Sequence, residues 1–490
     1  MAEDVPPAEG KAPNILVIVL DAVRAKSVKA GGGRRVAKTP VLDALAARGA
    51  VFSRAVAPAN WTVPSHMSMM TGSYPAQHGV RTFMRGDPPS ETIGSWLHRQ
   101  SYQTGIFTEQ AHLVAGYGLE SGYDMRFSRR MGMANEERTS VYRLFGHNNV
   151  LYSKEVRRVV EAIPPLIIPL NAINHPNEVA FKKDRCGSYV IDEFQKWVST
   201  LDAGRPFHAF INMVDGHEPY PSTEKGRSMS FFPRWYGRTP RYYILAVSGM
   251  LGRLPWDELE GGYLIAIEQV DRKLGAILDV LAAAGRLDNT YVIVTADHGQ
   301  SFGEGGNVFH GCGATDSITR VPLVVAPPVG ITLPARVEPW VTLCDLPAWM
   351  KAMASGKTPF DDGGKPPFPF APSAHNGGPV YCEGGPASDP NRSLKGIRMD
   401  QSWNHRLIAA YDGTEKWILD TETGTIDHWA DAADPDHEPA ERLTGDAAKA
   451  VREKVYGAYE AFDAQRIALK SGTKAVEVTL DERLRSWGYD

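Results

Sequence analysis

The amino-acid sequence predicts an α/β fold, in which a mostly parallel central sheet lies between helices and a smaller α+β subdomain follows at the C-terminal end. Three observations support this prediction. Apolar runs without alternation are typical of strands in a parallel sheet that is covered on both faces. These runs alternate with helical patterns along the first two thirds of the chain. Beyond about residue 330 the sequence becomes rich in proline and glycine.

The three strongest strand signals are apolar runs that end in acidic side chains. They are NILVIVL, which precedes Asp21; PFHAFINMV, which precedes Asp215 and His217; and NTYVIVTA, which precedes Asp297 and His298. Ligands of open parallel sheets bind beyond the carboxyl ends of the strands. We therefore expect Asp21, Asp215 and Asp297 to converge on one edge of the sheet.

Helical periodicity fills the sequence between these strands and sets the domain boundaries. It predicts helices over residues 41–48, 92–99, 189–201 and 263–284, the last ended by Gly285. We assign residues 1–13 to a disordered tail, 14–330 to a catalytic α/β domain and 331–490 to the C-terminal subdomain, where HRLIAAY and EKWILDTETG predict strands and a hairpin. Residues near 128–184 and 227–256 interrupt the rhythm and are interpreted as insertions over the site.

Composition and targeting signals narrow the class of protein. The chain has 490 residues, with 53 basic and 57 acidic side chains and a net charge of -4, so it has no overall attraction to nucleic acid. Its start lacks the profile of a secretory signal, and no apolar run reaches the roughly 20 residues that span a bilayer. We expect a cytoplasmic protein without a transmembrane segment. The sequence is compatible with either a monomer or an oligomer. The widely spaced cysteines indicate neither a zinc knuckle nor a disulfide framework: Cys186, Cys312, Cys344 and Cys382.

The segment NWTVPSHMSMMTG, residues 60–72, suggests a nucleophile. Thr62 lies two residues before Pro64, where a helix is predicted to begin, and a helix N-terminus favours an anionic oxygen. A threonine hydroxyl needs a base or a metal to become reactive, and the carboxylates at the strand ends would supply a metal site. The alternative is that Thr62 only caps the helix. Taken singly, the candidate aspartates and histidines would likewise be ordinary loop or core residues.

The chain resembles the sulfatase-type branch of the alkaline phosphatase superfamily in five segments that occur in order: VIVLDAVRAKS, TPVLDALAARGAVFSRAVAPANWTVPSHMSMMTGSYPAQHGV, VDGHEPY, TADHGQSFGEGGNVFHG and RVPLVV. The segments cover about residues 14–328. The resemblance implies an alkaline phosphatase-like α/β fold. It also implies that Asp21, Asp297 and His298 bind a divalent cation together with Thr62 at the nucleophile position. Oxygen and imidazole donors suit manganese, zinc or calcium.

The resemblance further implies roles for the remaining candidates. His217 and His310 would contact the transferred group, or would hold a second metal together with Asp215. His112 belongs to an EQAHL segment that is similar to a GKWHL-like motif of sulfatases, and it is interpreted as a substrate contact. From its position one turn into the helix, His66 is a candidate either for a substrate contact or for a residue that supports the side chains of the site.

Three departures from the family pattern bear on the substrate. In the CxPSR-like motif, sulfatases carry a cysteine or serine that matures to formylglycine, whereas this chain has Thr62 and His66, so that maturation is not expected. Ala22 replaces the second aspartate after the first strand. Gln110 takes the place of a sulfate-binding lysine. These departures favour phosphoryl over sulfuryl chemistry.

We therefore predict a metal-dependent hydrolase or transferase of phosphate mono- or diesters, or of phosphonate esters, with a covalent intermediate on Thr62 and a small anionic ester as substrate. His217 and His310 would stabilise the transferred group, and one of them would protonate the leaving oxygen. Two alternatives stay open: an enzyme that acts on a sulfate or sulfamate ester without formylglycine, and a non-catalytic binding protein on the same fold.

The aromatic and basic segment FFPRWYGRTPRYY, residues 231–243, has two interpretations. If the segment forms a cap over the site, Arg234, Arg238 or Arg241 would reach an anionic group of the substrate, and Arg234 is the candidate that we carry forward. The alternative is a packed lid or an oligomer contact.

Overall fold

The computed structural model describes residues 12–33, 35–81, 91–110, 113–114, 118–128, 187–217, 220, 256–304, 308–311, 313–357, 378–384, 405–432 and 441–469. The predicted insertions lie outside the described residues except for Ser128 and Trp256, and the predicted tail does so except for Ala12 and Pro13. Cys186 and Cys312 also lie outside them. Cys344 and Cys382 are buried free thiols.

The strands of the described residues are β1 (Asn14–Leu20), β2 (Ala50–Phe52), β3 (Ala55–Val56), β4 (Gln103–Thr108), β5 (Met125–Ser128), β6 (Phe207–Met213), β7 (Thr290–Thr295), β8 (Ser301–Phe302), β9 (Val308–Phe309), β10 (Leu323–Ala326), β11 (Arg336–Val337), β12 (Val341–Thr342), β13 (Val380–Gly384), β14 (Leu407–Asp412), β15 (Glu415–Asp420), β16 (Ile426–Trp429) and β17 (Glu441–Leu443). The α-helices are α1 (Pro40–Arg48), α2 (Thr62–Thr71), α3 (Pro75–His78), α4 (Ile93–Arg99), α5 (Gly187–Thr200), α6 (Trp256–Ala283), α7 (Asp316–Thr319), α8 (Leu346–Ala354), α9 (Gly445–Val451) and α10 (Gly457–Leu469). A π-helical turn, Arg452–Tyr456, joins the last two.

A mostly parallel sheet forms the centre of the molecule. Its strand order within the described residues is β11-β2-β10-β7-β1-β6-β4-β5. Only β10 runs antiparallel to its neighbours in this order, which confirms the predicted fold class. The three predicted apolar strands are β1, β6 and β7, which lie side by side and are buried along their whole length. Burial on both faces explains why these runs show no alternation.

The four predicted helices are confirmed as α1, α4, α5 and α6, although α6 begins seven residues earlier than predicted, at Trp256. Two groups of helices pack with the sheet, one containing α1, α5 and α6 and the other α2, α4 and α8. The groups are fixed by specific contacts as well as by apolar packing. For example, Asp271 of α6 accepts hydrogen bonds from the Val41 and Leu42 amides (3.1 and 2.9 Å) and so satisfies the N-terminus of α1. None of the described helices is long and apolar enough to cross a membrane.

The C-terminal region forms a second, antiparallel sheet. Its strand order is β13-β14-β15-β16-β17, and the predicted strands HRLIAAY and EKWILD are confirmed as the neighbours β14 and β15. The predicted division at residue 330 falls too early. β11 joins the central sheet, and Trp349 of α8 stacks on Phe52 of β2 with ring centroids 5.0 Å apart. The first strand of the C-terminal sheet begins at Val380, so the change of architecture falls between residues 357 and 378.

The two sheets are joined beside the N-terminus of α2. The Glu383 amide donates to the Pro58 carbonyl (2.9 Å), and the Asn60 amide donates to the Glu383 carbonyl (3.2 Å). Asn60 also bonds the loop after β9, because its carbonyl accepts from Gly311 (2.9 Å) and its side-chain amide donates to Gly313 (3.0 Å). The segment that leads to Thr62 is therefore held from two sides.

Candidate functional site

The candidate functional residues lie beyond the carboxyl ends of adjacent parallel strands. Because β1 pairs with both β6 and β7, the residues that follow these strands leave the sheet at one edge. The Asp21 amide donates to the Met213 carbonyl (2.9 Å), which keeps the ends of β1 and β6 together. As the strand ends predict, the structure brings Asp21 and Asp297 close together, in one cluster with His298.

Asp21, Asp297 and His298 form a buried cluster that fits a metal ion. One ligand atom from each lies within 4.8 Å of the others, and all three side chains are fully buried. The Nε2 atom of His298 lies 3.4 Å from Asp297 Oδ2 and 3.9 Å from Asp21 Oδ1. These two carboxylate oxygens accept no hydrogen bond from any described residue.

The electrostatics of the cluster also favour a cation. Burial raises the pKa of Asp21 and of Asp297 to about 6, and for Asp21 the charge of Asp297 contributes to this rise. Two buried carboxylates that face one another are unfavourable unless a positive charge lies between them. The donor set of two carboxylates and one imidazole can therefore hold a divalent cation.

Neutral donors hold the outer oxygens of both carboxylates. The Asp21 Oδ2 atom accepts from the side-chain amides of Asn212 and Gln110, each at 3.4 Å. The Asp297 Oδ1 atom accepts from the backbone amides of Ala22 (3.1 Å) and His298 (3.0 Å). These bonds orient the opposite oxygens, Oδ1 of Asp21 and Oδ2 of Asp297, toward the His298 ring.

Ala22 adopts an unusual backbone conformation at this site. Its φ is +62°, in the left-handed region, where a residue with a Cβ is disfavoured by about 1–2 kcal/mol. The conformation points its amide at Asp297, while its carbonyl accepts from the hydroxyl of Tyr263 (2.8 Å). Ala22, which replaces the second aspartate of the family pattern, therefore helps to orient Asp297 through its backbone amide.

Thr62 lies next to the cluster at the first residue of α2. Its Oγ1 atom is 3.4 Å from Nε2 of His298, and its side chain is 7% exposed. The N-cap of α2 is Trp61, which makes no side-chain cap bond, so the structure does not place Thr62 as the cap. Ser65, one turn further on, donates to the Asp297 carbonyl (2.5 Å) and ties the helix to the β7 loop.

The three predicted histidines form a contiguous group of rings. The His310 ring stacks on His298 with centroids 4.4 Å apart and meets the edge of His217 at 4.6 Å. His310 is 7% exposed, and His217 is partly buried. Both side chains are thus close enough to the cluster to contact a group that is bound there.

Asp215 is not part of this group, which corrects one prediction. Its Oδ1 atom accepts an ion-pair hydrogen bond from Nζ of Lys273 on α6 (2.7 Å). In the part of the chain that the structure describes, Asp215, His217 and His310 do not form a set of three close ligand atoms. Lys273 already neutralises Asp215, so the described residues give no support to the alternative in which Asp215 holds a second metal.

His66 is fully buried, which favours its predicted role as a support of the site residues over the alternative of a substrate contact. Its Nδ1 atom donates to the Thr62 carbonyl (2.8 Å), and its Nε2 atom lies 3.4 Å from the Asn212 side-chain amide. Burial lowers the pKa of His66 to about 3, so the ring is neutral. His66 therefore supports the start of α2 from beneath.

Two residues beside the site were missed by the sequence reasoning. Asn212 interrupts the apolar run of β6, and a polar residue within a buried strand is the signal that could have found it. Gln300 contacts His310 and lies only two positions after His298, but neither position nor residue type distinguishes it in the sequence. His112 and Arg234 lie outside the described residues.

The family model places the chain among the ester hydrolases of the alkaline phosphatase superfamily, and solved structures share its fold. The sulfatase family model matches residues 13–353, and the chain belongs to the sulfatase family. The match ends at the end of α8, in agreement with the later boundary of the central domain.

Curated relatives are similar over most of the chain. An uncharacterized sulfatase of Escherichia coli (strain K12), YidJ, is 25% identical over 371 residues, which cover 71% of this chain and 69% of the relative. A choline-sulfatase of Rhizobium meliloti (strain 1021) is 24% identical over 373 residues, which cover 68% of this chain and 67% of the relative.

Solved structures share the fold along almost the whole length. A phosphonate monoester hydrolase of Agrobacterium radiobacter has a TM-score of 0.60 at 21% identity, covering 95% of this chain and all of the other. A 2-O GAG sulfatase, BT1596, has a TM-score of 0.63 at 15% identity, covering 97% of this chain and 96% of the other. At these identities the likeness shows the fold and does not choose the substrate.

Proposed function

We propose that this chain is a metal-dependent hydrolase or transferase of phosphate mono- or diesters, or of phosphonate esters, and that it works through a covalent intermediate on Thr62. The observation that carries the proposal is the 3.4 Å distance between Thr62 Oγ1 and His298 Nε2, beside two buried carboxylates. A hydroxyl at a helix N-terminus next to a cation site has the surroundings that favour its alkoxide form.

Asp21, Asp297 and His298, together with Thr62, would hold the cation, for which manganese, zinc and calcium are the candidates. When bound, the cation supplies positive charge that neutralises the transferred group. Thr62 Oγ1 releases its proton to solvent and forms the new bond to phosphorus as the bond to the leaving oxygen breaks. His310 or His217 donates a proton to that oxygen. Water or an alcohol then attacks the phosphorus, its proton returns to the same histidine, and the bond to Thr62 Oγ1 breaks, which restores Thr62.

The nature of residue 62 favours phosphorus over sulfur as the centre of attack. Formylglycine arises from cysteine or serine, and its hydrate gives the covalent ester a second route of release. Threonine lacks that route, so the intermediate must be cleared by attack on the transferred group itself. Phosphothreonine fits this requirement better than sulfothreonine.

Sulfate-ester hydrolysis is the second candidate function. The observation that favours it is the set of curated relatives, which include a choline-sulfatase. The same residues would act on either group, because both present tetrahedral anionic oxygens to the cation and to the histidines.

The test compares four classes of small probe with the same aryl leaving group: a phosphate monoester, a phosphate diester, a phosphonate monoester and a sulfate ester. Each is assayed with manganese, zinc or calcium. We expect turnover of at least one phosphorus ester to exceed that of the sulfate, and Thr62→Ala to abolish it. Thr71→Ala, at the opposite end of α2, is the matched control and should keep wild-type turnover.

Preferential turnover of the aryl sulfate would replace the proposal with the second candidate. Unchanged turnover by Thr62→Ala would remove Thr62 from the mechanism. His112 and Arg234 stay proposed substrate contacts, and the cytoplasmic location stays a prediction.

A further inference from the structure

A buried glutamine links one catalytic candidate to a rigid aromatic group. The side-chain oxygen of Gln300 lies 2.8 Å from Nδ1 of His310, and its side-chain nitrogen lies 2.6 Å from the hydroxyl of Tyr220. Gln300 is fully buried, and it lies in the loop that carries His298. We propose that Gln300 is a positioning residue that holds His310 with its proton on Nδ1 and with Nε2 directed to the reacting group.

The backbone and the neighbours of Gln300 leave its side chain little freedom. The backbone amide of Gln300 donates to the Ser317 carbonyl (2.8 Å), and its backbone carbonyl accepts from the Arg24 guanidinium (3.3 Å). Tyr220 packs against the rings of Tyr263 and Phe302, with centroids 5.5 and 6.0 Å away. The Tyr220 hydroxyl is thereby held beside the Gln300 side-chain nitrogen, and the Gln300 side-chain oxygen faces His310.

The chemistry of the pair follows from the acceptor at Nδ1. An amide oxygen can only accept, so the Nδ1 atom of His310 carries a hydrogen and the ring lone pair is on Nε2. This arrangement is unchanged whether or not Nε2 also carries a proton. His310 can therefore give up a proton from Nε2 and regain it without rotating its ring or breaking its bond to Gln300.

This role rests on the proposed function, in which His310 or His217 protonates the leaving oxygen. Proton donation matters most for poor leaving groups, because their oxygens carry the most negative charge as the bond breaks. A misplaced His310 should therefore slow esters of weakly acidic phenols far more than esters of strongly acidic phenols. A general loss of structure would slow both alike.

The kinetic test uses a series of aryl esters of the preferred group with leaving groups from phenol to dinitrophenol. We expect Gln300→Leu to lose on the order of 10²-fold in kcat/KM for the phenyl ester and only a few-fold for the dinitrophenyl ester. Gln300→Glu keeps an acceptor at Nδ1 and should recover most of the loss. Gln103→Leu, which removes an amide far from the site, is the matched control. A uniform loss across the series, or no recovery with Gln300→Glu, would overturn the positioning role.

A second measurement does not depend on turnover. With ¹⁵N-labelled histidine and a diamagnetic divalent cation in mildly alkaline buffer, the ring nitrogens of His310 should show the Nδ1–H form in the wild type. Gln300→Leu should weaken that preference, and Tyr220→Phe should weaken it less. An Nε2–H form in the wild type would contradict the inference. An Nδ1–H form in a chain that turns over no ester would instead contradict the proposed function and leave the assignment of the proton in place.

Discussion

The Oγ1 atom of Thr62 lies 3.4 Å from Nε2 of His298, although 236 positions separate the two residues in the sequence. The helix that begins at Thr62 is bonded to the β7 loop through Ser65 and the Asp297 carbonyl. The candidate nucleophile and the candidate metal ligands are therefore parts of one rigid unit. Replacing one residue at a time in this unit should therefore show which residues serve catalysis, which serve cation binding and which serve stability.

Replacing Thr62 by valine should remove catalysis without removing structure. Valine keeps the shape of the nearly buried side chain and exchanges only the hydroxyl for a methyl group. We expect kcat to fall by at least about 10³-fold with little change in Tm, whereas Thr62→Ser should stay within about tenfold of the wild type. Mass spectrometry of acid-quenched enzyme should find the transferred group on residue 62 in the wild type and not in the valine variant. Full activity of Thr62→Val would contradict a nucleophilic role.

Cation binding should stabilise the fold more as the pH rises. Burial raises the pKa of Asp21 and Asp297 from the ordinary 3.8 to about 6 in the folded chain without a cation. When an acid has a higher pKa in the folded than in the unfolded state, the free energy of unfolding falls as the pH rises from the unfolded-state pKa to the folded-state pKa. A cation that binds the ionised carboxylates removes this loss.

We therefore expect the increase in Tm on addition of a divalent cation to grow as the pH rises from 3.8 to about 6. Thermal unfolding with the cation or with a chelator, at a series of pH values, measures the difference. Asp21→Asn should show a smaller increase and a flatter dependence on pH. An increase that is the same at every pH would argue against the two carboxylates as ligands.

The ion pair of Asp215 and Lys273 should support stability and not cation binding. Their side chains are 1% and 15% exposed, so loss of one charge leaves the other largely buried. We expect Asp215→Asn to keep the wild-type metal content. Lys273→Met should lower the free energy of unfolding by up to about 3 kcal/mol, at the lower end of the range for broken buried pairs.

The double variant Asp215→Asn/Lys273→Met tests the pair as a unit. It should be more stable than Lys273→Met alone, because no uncompensated carboxylate remains. Denaturant unfolding and elemental analysis are the measurements. If Asp215→Asn lost one metal per chain, that result would contradict this expectation and would support a second metal site at Asp215.

Substitutions of Ala22 should reveal the role of its left-handed backbone. With φ at +62°, glycine relieves strain but adds freedom to the unfolded chain, so Ala22→Gly should change the free energy of unfolding by no more than about 1 kcal/mol. Ala22→Val places a branched side chain in the same conformation and should destabilise by more than about 2 kcal/mol. Valine should also weaken cation binding, because the Ala22 amide orients Asp297. Equal stability of the two variants would contradict the strain.

The sequence by itself determined the central strands, the main helices and the acidic residues that follow the strands. β1, β6 and β7 were predictable because burial on both faces produces continuous apolar runs. Asp21 directly follows β1, and Asp297 and His298 come one residue after the end of β7. The order of motifs also pointed to the family, and the family model and the fold agree with it. These features are local, since each depends on a short stretch of neighbouring residues.

Only the tertiary structure decided which polar side chains face the site. Asp215 occupies the expected strand end, but Lys273, 58 positions away, engages it. His66 is placed one turn into the helix as predicted, yet packing against β6 buries it beneath Thr62. Gln300 follows β7 and His310 follows β9, and their contact forms only in the folded chain. Such pairings depend on how distant segments pack, and the residue patterns along the chain carry no record of that packing.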